Sequence, residues 1–423
     1  MLQLNIINEE PRKVVELLNI KNFDAGTLVA EIQDLDRRRR ETQKKLDDGL
    51  SQAKLLAKEI GMLYKSGKGD EANALKEKTA TLKKETQALG STLEEIKKVL
   101  DEKLIQLPNL PHPSVPAGNS ENDNELVDLK DKEVILADDA IPHWELAKKY
   151  DIIDFDLGSK VTGAGFPFYK NQGARLQRAL INFFLDEGMK AGYTEFQPPL
   201  FVNEDSAYGT GNLPDKEGQM YHIGEDNLYA IPTAEVPITN IYRDVILGKD
   251  EIPIKNVAYS NCFRREAGSY GKDVRGLNRL HQFDKVEIVQ ICHPDNSYKT
   301  LEEMRNYVAS LLEKLELPYR ILKLCGGDIS FTSAMTYDFE VYSAAQKRWL
   351  EVSSVSNFEA FQSNRMKLRF RDEDGKTRLA HTLNGSALAL PRIVAALLEN
   401  NQSETGIAIP EALQTYTGFK EIS

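Results

Sequence analysis

The sequence predicts an α+β protein: a long antiparallel helical coiled-coil arm, followed by a domain of alternating strands and helices. Three observations point there. Apolar and small residues recur at heptad spacing across residues 28–100, with one break. A proline-rich stretch at 107–124 then forbids regular helix. Beyond it, apolar and aromatic strand-like runs alternate with amphipathic helical spacing.

The chain has 423 residues, more than one compact core usually organises, and the composition shifts suggest a division at 1–106, 107–124 and 125–423. In the first segment Leu28, Leu35, Thr42, Gly49, Leu56 and Leu63 repeat every seventh residue, interleaved with Ile32, Arg39, Leu46, Ala53 and Ile60. After Ser66–Asp70 (SGKGD) the seam resumes with Leu75, Leu82, Leu89 and Ile96, interleaved with Thr79, Thr86, Leu93 and Leu100. Helices of this length rise about 55 Å at ~1.5 Å per residue, so the hairpin is expected to project as an arm. Arg37–Arg40, Lys44, Lys45, Lys54, Lys58, Lys76, Lys78, Lys83 and Lys84 are dispersed along it among acidic residues. Such a rod suits the backbone and shape of structured RNA; a solvated charged face and a protein partner are the alternatives. The segment 107–124 (LPNLPHPSVPAGNSENDN) reads as the linker.

Several function classes are disfavoured. No apolar run approaches the roughly 20 residues that span a bilayer, and the acidic N-terminus lacks a targeting pattern, so a cytoplasmic protein with no membrane role is expected. Cys262, Cys292 and Cys325 have no CxxC spacing and the histidines no HExxH, so neither disulfides nor a zinc site is expected. The net charge of −11 argues against a protein that coats DNA.

In the last segment, a helix over Gly173–Glu187 leads to a strand ending at Pro198 and Pro199. Tyr259–Phe263 and Phe283–Ile291 read as the strands of a hairpin. The segment between them holds Gly268, Gly271 and Gly276 with Arg264, Arg265, Lys272, Arg275 and Arg279: cations on a turn, able to grip phosphate. Glu266, two residues after Arg264, is expected on the same strand face. A solvated basic loop is the alternative. There is no GxxxxGK[ST] loop and no strand-following GxGxxG, so any nucleotide must be held by side-chain arginines.

Five motifs in order then resemble the bacterial type of seryl-tRNA synthetase, a class II aminoacyl-tRNA synthetase. They are the Gly173–Glu187 helix with its Pro198–Pro199 strand end, IPTAEVP at Ile231–Pro237, FRRE at Phe263–Glu266, EVSSVSNFEAFQSNR at Glu351–Arg365 and NGSALALPR at Asn384–Arg392. The resemblance covers essentially the whole chain. It implies the class II antiparallel sheet flanked by helices. It also implies activation of L-serine by ATP to seryl-adenylate, then transfer to the 3′ end of tRNA(Ser), with selenocysteine tRNA left open as a second substrate. A ligase that loads a carrier protein and a non-catalytic RNA-binding paralogue are the rival readings. The long arm argues against the first, and retention of Arg264, Glu266, Glu287, Glu351 and Arg392 against the second.

By position in these motifs, the resemblance assigns Arg264 to the α-phosphate and attacking carboxylate and Arg392 to the ATP tail or adenine, as the catalytic pair. It assigns Arg265, Arg279, Val352 and Ser353 to the ATP site, Glu266 to the adenine amino group, and Phe283 to the ring face. Glu351 and Ser354 are implied as ligands of Mg2+ bound with ATP. Thr233, Ala234, Glu235, Glu287, Asn384 and Ser386 are implied for serine, with Glu287 reading the hydroxyl. Partners implied are the long variable arm of tRNA(Ser), for the helical arm, and a second copy in a homodimer. Ala387 and Pro391 stand where many class II enzymes have glycine, and Val355 where related chains often have cysteine.

Overall fold

The computed structural model describes residues 1–130, 134, 136–267 and 275–423. Gly268, Gly271 and Lys272 of the basic turn lie outside the described residues. The chain divides into two compact units, residues 1–19 with 23–108, and residues 20–22 with 109–423.

The first unit is dominated by two helices, Gly26–Lys65 of 40 residues and Gly69–Leu104 of 36. Every heptad position named above is buried or half-buried, while the dispersed lysines from Lys44 to Lys84 are exposed. Gly49 shows why the seam closes there: a Cβ on it would lie 2.7 Å from Thr86 Cγ2, so only glycine permits this approach. The reversal falls at the expected break. Gly67 takes a left-handed φ of 76°, Lys68 N–H donates to Leu63 O at 3.0 Å, and Gly67 N–H donates to Tyr64 O at 3.3 Å, a helix end that satisfies otherwise orphaned carbonyls. Arg39 and Arg40 both bond to the buried Asp36, and Arg37 pairs with Asp34 and Glu41, so this part of the basic run is neutralised within its own helix.

The second unit is built on an eight-stranded sheet. In chain order its strands are β1 (Glu125–Lys130), β2 (Thr194–Phe196), β3 (Ile254–Phe263), β4 (Gln282–Cys292), β5 (Tyr319–Lys323), β6 (Met335–Ser343), β7 (Arg348–Glu359) and β8 (His381–Ala389). Their spatial order is β1-β5-β6-β7-β8-β4-β3-β2. All neighbours are antiparallel except β2 and β3, so this is the mostly antiparallel sheet expected from the motifs. The helix Asn171–Lys190 buries Leu176, Leu180, Phe183 and Phe184, and the helix Leu390–Asn400 buries Ile393, Val394 and Leu397. Both join Val257, Val286 and Ile288 of the sheet in one apolar core. Strand alternation then sends Lys285 and Glu287, the neighbours of Val286 and Ile288, to the other face. The proline-rich segment carries no helix from 107 to 120 and is fastened within the second unit: Asn109 donates from its amide to Thr332 O at 2.9 Å and Phe358 O at 2.8 Å.

Candidate active site

The expected hairpin is β3 and β4, paired Phe283 to Cys262, Lys285 to Ser260 and Glu287 to Ala258. This register lines Phe283, Lys285 and Glu287 along one face of β4. Arg264 follows the end of β3; its backbone N–H donates to His281 O at 2.9 Å and its Nε to Pro232 O at 3.4 Å. Its guanidinium carbon lies 5.2 Å from the centre of the Phe283 ring, within cation–π range. Arg265 is exposed, and its backbone N–H is held by Gln219 O at 2.8 Å.

The shared strand face expected for Arg264 and Glu266 is not what the chain forms. The strand stops at Phe263, and Glu266 adopts φ 47°, a left-handed turn that ends the alternation. Glu266 instead accepts from Arg279 Nη1 at 2.8 Å, which ties the two ends of the turn together.

The serine-assigned residues converge. Thr233 Oγ1 accepts the Glu235 N–H at 3.2 Å, and Glu235 opens a short buried helix, Glu235–Asn240, with Ala234 fully buried before it. Asn384 and Ser386 sit on β8, with Ser386 directly opposite Glu287. The Ser386 hydroxyl is 3.5 Å from Glu287 Oε2, and the Asn384 side chain bonds to Glu235. Glu287 is 2% exposed and pairs with the Lys285 ammonium at 2.5 Å. The pocket therefore holds two carboxylates, Glu235 and Glu287, against one cation, Lys285. Burial first, then the charge of Glu287, push the Glu235 carboxyl up to about 7, while Gln362, Lys285 and Asn384 pull it back.

Three residues of this network, Lys285, Gln362 and Thr382, are absent from those singled out in the sequence. Lys285 stands two residues from both Phe283 and Glu287, and strand alternation alone places it on their face. Gln362 donates to Glu235 Oε1 at 2.7 Å and accepts from Thr382 Oγ1 at 2.7 Å, so its amide orientation is fixed by a hydroxyl in the core. Nothing local in the sequence marks Gln362 or Thr382, because their partner is 127 or more residues away or itself a network member.

The third group is at the start of β7. Arg392 donates from Nε to Asn278 O at 3.1 Å and from Nη1 to Glu351 O at 2.6 Å, with Glu351 Oε2 at 3.6 Å. Ser354 Oγ is 3.3 Å from Glu351 Oε1. Asp338, paired with Ser354 across β6 and β7, has a buried Oδ1 with no hydrogen-bond partner. Burial, and then the charge of Glu351, hold its carboxyl well above the ordinary range. Hard oxygen donors, a mutually repelling carboxylate pair and an orphaned buried oxygen fit a divalent cation shared with phosphates. Val352 and Ser353 are different: Val352 is part of the apolar core, and Ser353 is buried with its hydroxyl donating to Ser386 O at 2.6 Å. The Ser353 side chain braces β7 against β8 and that of Val352 lies in the core, which leaves only their backbone for a ligand.

The mostly antiparallel sheet flanked by helices is the fold of a class II aminoacyl-tRNA synthetase. The family model for the class II core domain of the Gly, His, Pro, Ser and Thr synthetases matches residues 220–401, and the seryl-tRNA synthetase N-terminal domain matches residues 1–111. The chain is 52% identical over 424 residues to a serine–tRNA ligase of Salinibacter ruber, covering 100% of this chain and 99% of the relative. A serine–tRNA ligase of Prosthecochloris aestuarii is 44% identical, with the same coverage. Among solved structures, Pyrococcus horikoshii seryl-tRNA synthetase complexed with ATP aligns with TM-score 0.92 and 35% identity over 100% of this chain and 99% of that one. The cytoplasmic serine–tRNA ligase of Naegleria fowleri in complex with AMP aligns with TM-score 0.88 and 25% identity, with the same coverage. The chain belongs to the seryl-tRNA synthetase family, the serine–tRNA ligases.

Proposed function

We propose that the residues along β4 are the adenylation centre of this serine–tRNA ligase. The observation that carries the reading is one strand face bearing Phe283, Lys285 and Glu287, with Arg264 over its first ring and Glu235 beside its last carboxylate. Nucleotide lies at the Phe283 end and serine at the Glu287 end. Serine's carboxylate attacks the α-phosphorus of ATP; the bond to the β-phosphate oxygen breaks, giving seryl-adenylate and pyrophosphate. A ribose hydroxyl of the tRNA end then attacks the activated carbonyl, and AMP leaves. No side chain needs to become covalently attached.

The protein's work is positioning and charge stabilisation. Arg264 draws two anions together and stabilises the charge that gathers on the pentavalent phosphate. At about 4 Å and an effective dielectric near 20, one such charge is worth roughly 4 kcal/mol. Arg265 and Arg279 extend the positive surface, and Arg392 meets the ATP tail or the adenine. Glu266 accepts from the adenine amino group while Arg279 orients it, which favours adenine over a base with a carbonyl there. Glu351 and Ser354 would hold Mg2+, which when bound neutralises phosphate oxygens.

In the serine pocket, Glu287 accepts the substrate hydroxyl; Thr233 and Asn384 contact the ammonium, and Glu235 supplies its counter-charge. Ser386 packs against the hydroxyl end. Alanine would leave Glu287 with Lys285 and Ser386 but without the substrate hydroxyl, a poorly satisfied carboxylate, so alanine is rejected more strongly than its size alone would allow. The exposed lysines of the two-helix hairpin serve the long variable arm of tRNA(Ser). Two copies assemble, and exposed Leu157, Val161 and Phe168 give apolar surface that a second copy can cover. Among the described residues no helix is long and apolar enough to cross a membrane.

Serine-dependent exchange between ATP and pyrophosphate, followed by charging of serine tRNA with and without its variable arm, tests the reading. Absence of exchange with serine would sink it. Equal charging of the two tRNAs would reject the role given to the hairpin.

A further inference from the structure

Outside the adenylation centre, the second unit holds a buried histidine–carboxylate pair. His143 and Glu399 are both fully buried, and His143 Nδ1 lies 2.6 Å from Glu399 Oε1. Glu399 Oε1 also accepts the His143 backbone N–H at 2.9 Å and Gln346 Nε2 at 3.0 Å, while Ser343 donates its hydroxyl to Oε2. Burial on its own would raise this carboxyl; the bonds from His143 and Ser343 outweigh it and hold Glu399 below its ordinary value. Charge-assisted bonds on every side make Glu399 a fixed anchor for the ring.

The other ring nitrogen points elsewhere. Nε2 accepts the backbone N–H of Leu277 at 2.8 Å, so the ring proton sits on Nδ1, facing Glu399. Leu277 belongs to the strap 275–280 that returns from the basic turn to β4. Gly276 is pressed so closely to the ring that a Cβ would lie 2.2 Å from Nε2, and its φ of 68° is one that glycine adopts freely. Arg275 lies 4.9 Å above the neighbouring Trp144 ring. The residue after Leu277 carries the consequence: Asn278 offers its carbonyl to Arg392 Nε at 3.1 Å, and its amide donates to Gln346 Oε1 at 3.1 Å. Gln346 closes the circuit, because the same side chain donates to Glu399. Arg279 follows at once, holding Glu266.

A buried histidine–glutamate pair most often serves only to satisfy polar groups in a core. Here its acceptor end is spent on one backbone amide of the strap, one residue from the carbonyl that orients an ATP-site arginine. We propose that His143 is a positioning residue for the ATP site: it pins Leu277, and through Asn278 it sets the place of Arg392. This rests on the assignment of Arg392 to ATP made above.

The two ends of the imidazole can be separated by substitution. His143→Asn keeps an amide donor near the Nδ1 position for Glu399 and removes the acceptor for Leu277. His143→Gln places an amide oxygen near the Nε2 position, where it can take the Leu277 N–H. In serine-dependent pyrophosphate exchange with the full chain, His143→Asn should raise the KM for ATP about tenfold, the factor that corresponds to ~1.4 kcal/mol. The KM for serine should move less than about twofold, since Glu235 and Glu287 are fastened separately. His143→Gln should recover most of the ATP affinity. A folded His143→Asn enzyme with unchanged ATP KM, or with ATP and serine KM raised alike, overturns the proposal. Arg392→Ala separates the two levels. If it leaves the ATP KM unchanged, the ATP-site assignment itself fails; if it raises that KM while His143→Asn does not, only the role of His143 fails. Hydrogen exchange on the wild-type protein needs no variant to fold: the Leu277 amide should exchange slowly, and rapid exchange overturns the pinning.

Discussion

Lowering the pH from 8 to 6 should weaken serine binding about tenfold, and Glu235 should be the cause. The pocket contains Glu235 and Glu287 with Lys285 as their shared cation, and burial and the charge of Glu287 push the Glu235 carboxyl up to about 7. At pH 6 about one molecule in eleven then carries the ionised form, against nearly all at pH 8. Serine brings an ammonium that favours the ionised carboxylate, and serine's own amino group stays charged across this range. Below pH 7 its binding must therefore release a proton, and the serine KM should rise by about a factor of two at pH 7 and about ten at pH 6. Stability gives an independent check. The carboxyl is raised from 4.5 to about 7 in the folded state, so its contribution is complete below pH 4.5 and is lost as pH rises through 7. The loss amounts to about 3 kcal/mol. Serine supplies the missing counter-charge, so it should raise the Tm more at pH 8 than at pH 6. The assays are pyrophosphate exchange at several pH values and thermal unfolding with and without serine. Glu235→Gln should flatten the pH profile. A serine KM that is level from pH 6 to 8, or a Glu235→Gln enzyme with the wild-type slope, would refute the charge accounting.

Glu287→Ala should strand the Lys285 ammonium in a buried site, a class of change that costs about 3–5 kcal/mol, and lower kcat/KM for serine by at least about a hundredfold. Exchange measured with serine and with alanine should show the preference between them collapsing. Gly49→Val should force the helical hairpin apart at Thr86 and destabilise that unit by about 1–3 kcal/mol. Hydrogen exchange should localise the effect to residues 26–104, with tRNA charging impaired and serine activation retained. Glu351→Ala should raise the magnesium concentration that half-saturates the exchange reaction, a shift read directly from a metal titration.

Where a structural rule acts over a few residues, the sequence carried it plainly. The residues at the heptad positions of the helical hairpin are buried or half-buried as the spacing anticipates, while Val29, Asp36, Ala72 and Leu104 are buried outside that seam. The two strands of the central hairpin were legible from their apolar and aromatic runs; Glu287 stands on the second of them, Arg264 follows the end of the first, and Arg392 stands on the helix Leu390–Asn400. Period-2 alternation does not reach Glu266, because the strand ends at Phe263 and Glu266 itself takes a left-handed conformation. Val352 and Ser353 look like ligand-binding neighbours of Glu351 in the sequence, yet both side chains are buried, Val352 at a break in the β6–β7 register between Glu351 and Ser353. Lys285 is accessible to strand alternation, two residues from both Phe283 and Glu287, which the resemblance assigns. Gln362 and His143 are not, since their partners lie 127 and 134 residues away, and Thr382 joins the site only through Gln362.

The alignment of Phe283, Lys285 and Glu287 on β4 makes that strand a ruler. From Phe283 to Glu287 is four residues, about 13 Å at ~3.3 Å per residue, and the distance cannot be adjusted smoothly. Inserting one residue would turn Glu287 toward the core, and inserting two would lengthen the interval by about 7 Å. A route from serine to a larger amino acid therefore cannot pass through sliding or stretching this strand. It has to proceed by recarving the far end, at Glu287 and Ser386, while the nucleotide end stays where the backbone repeat has put it.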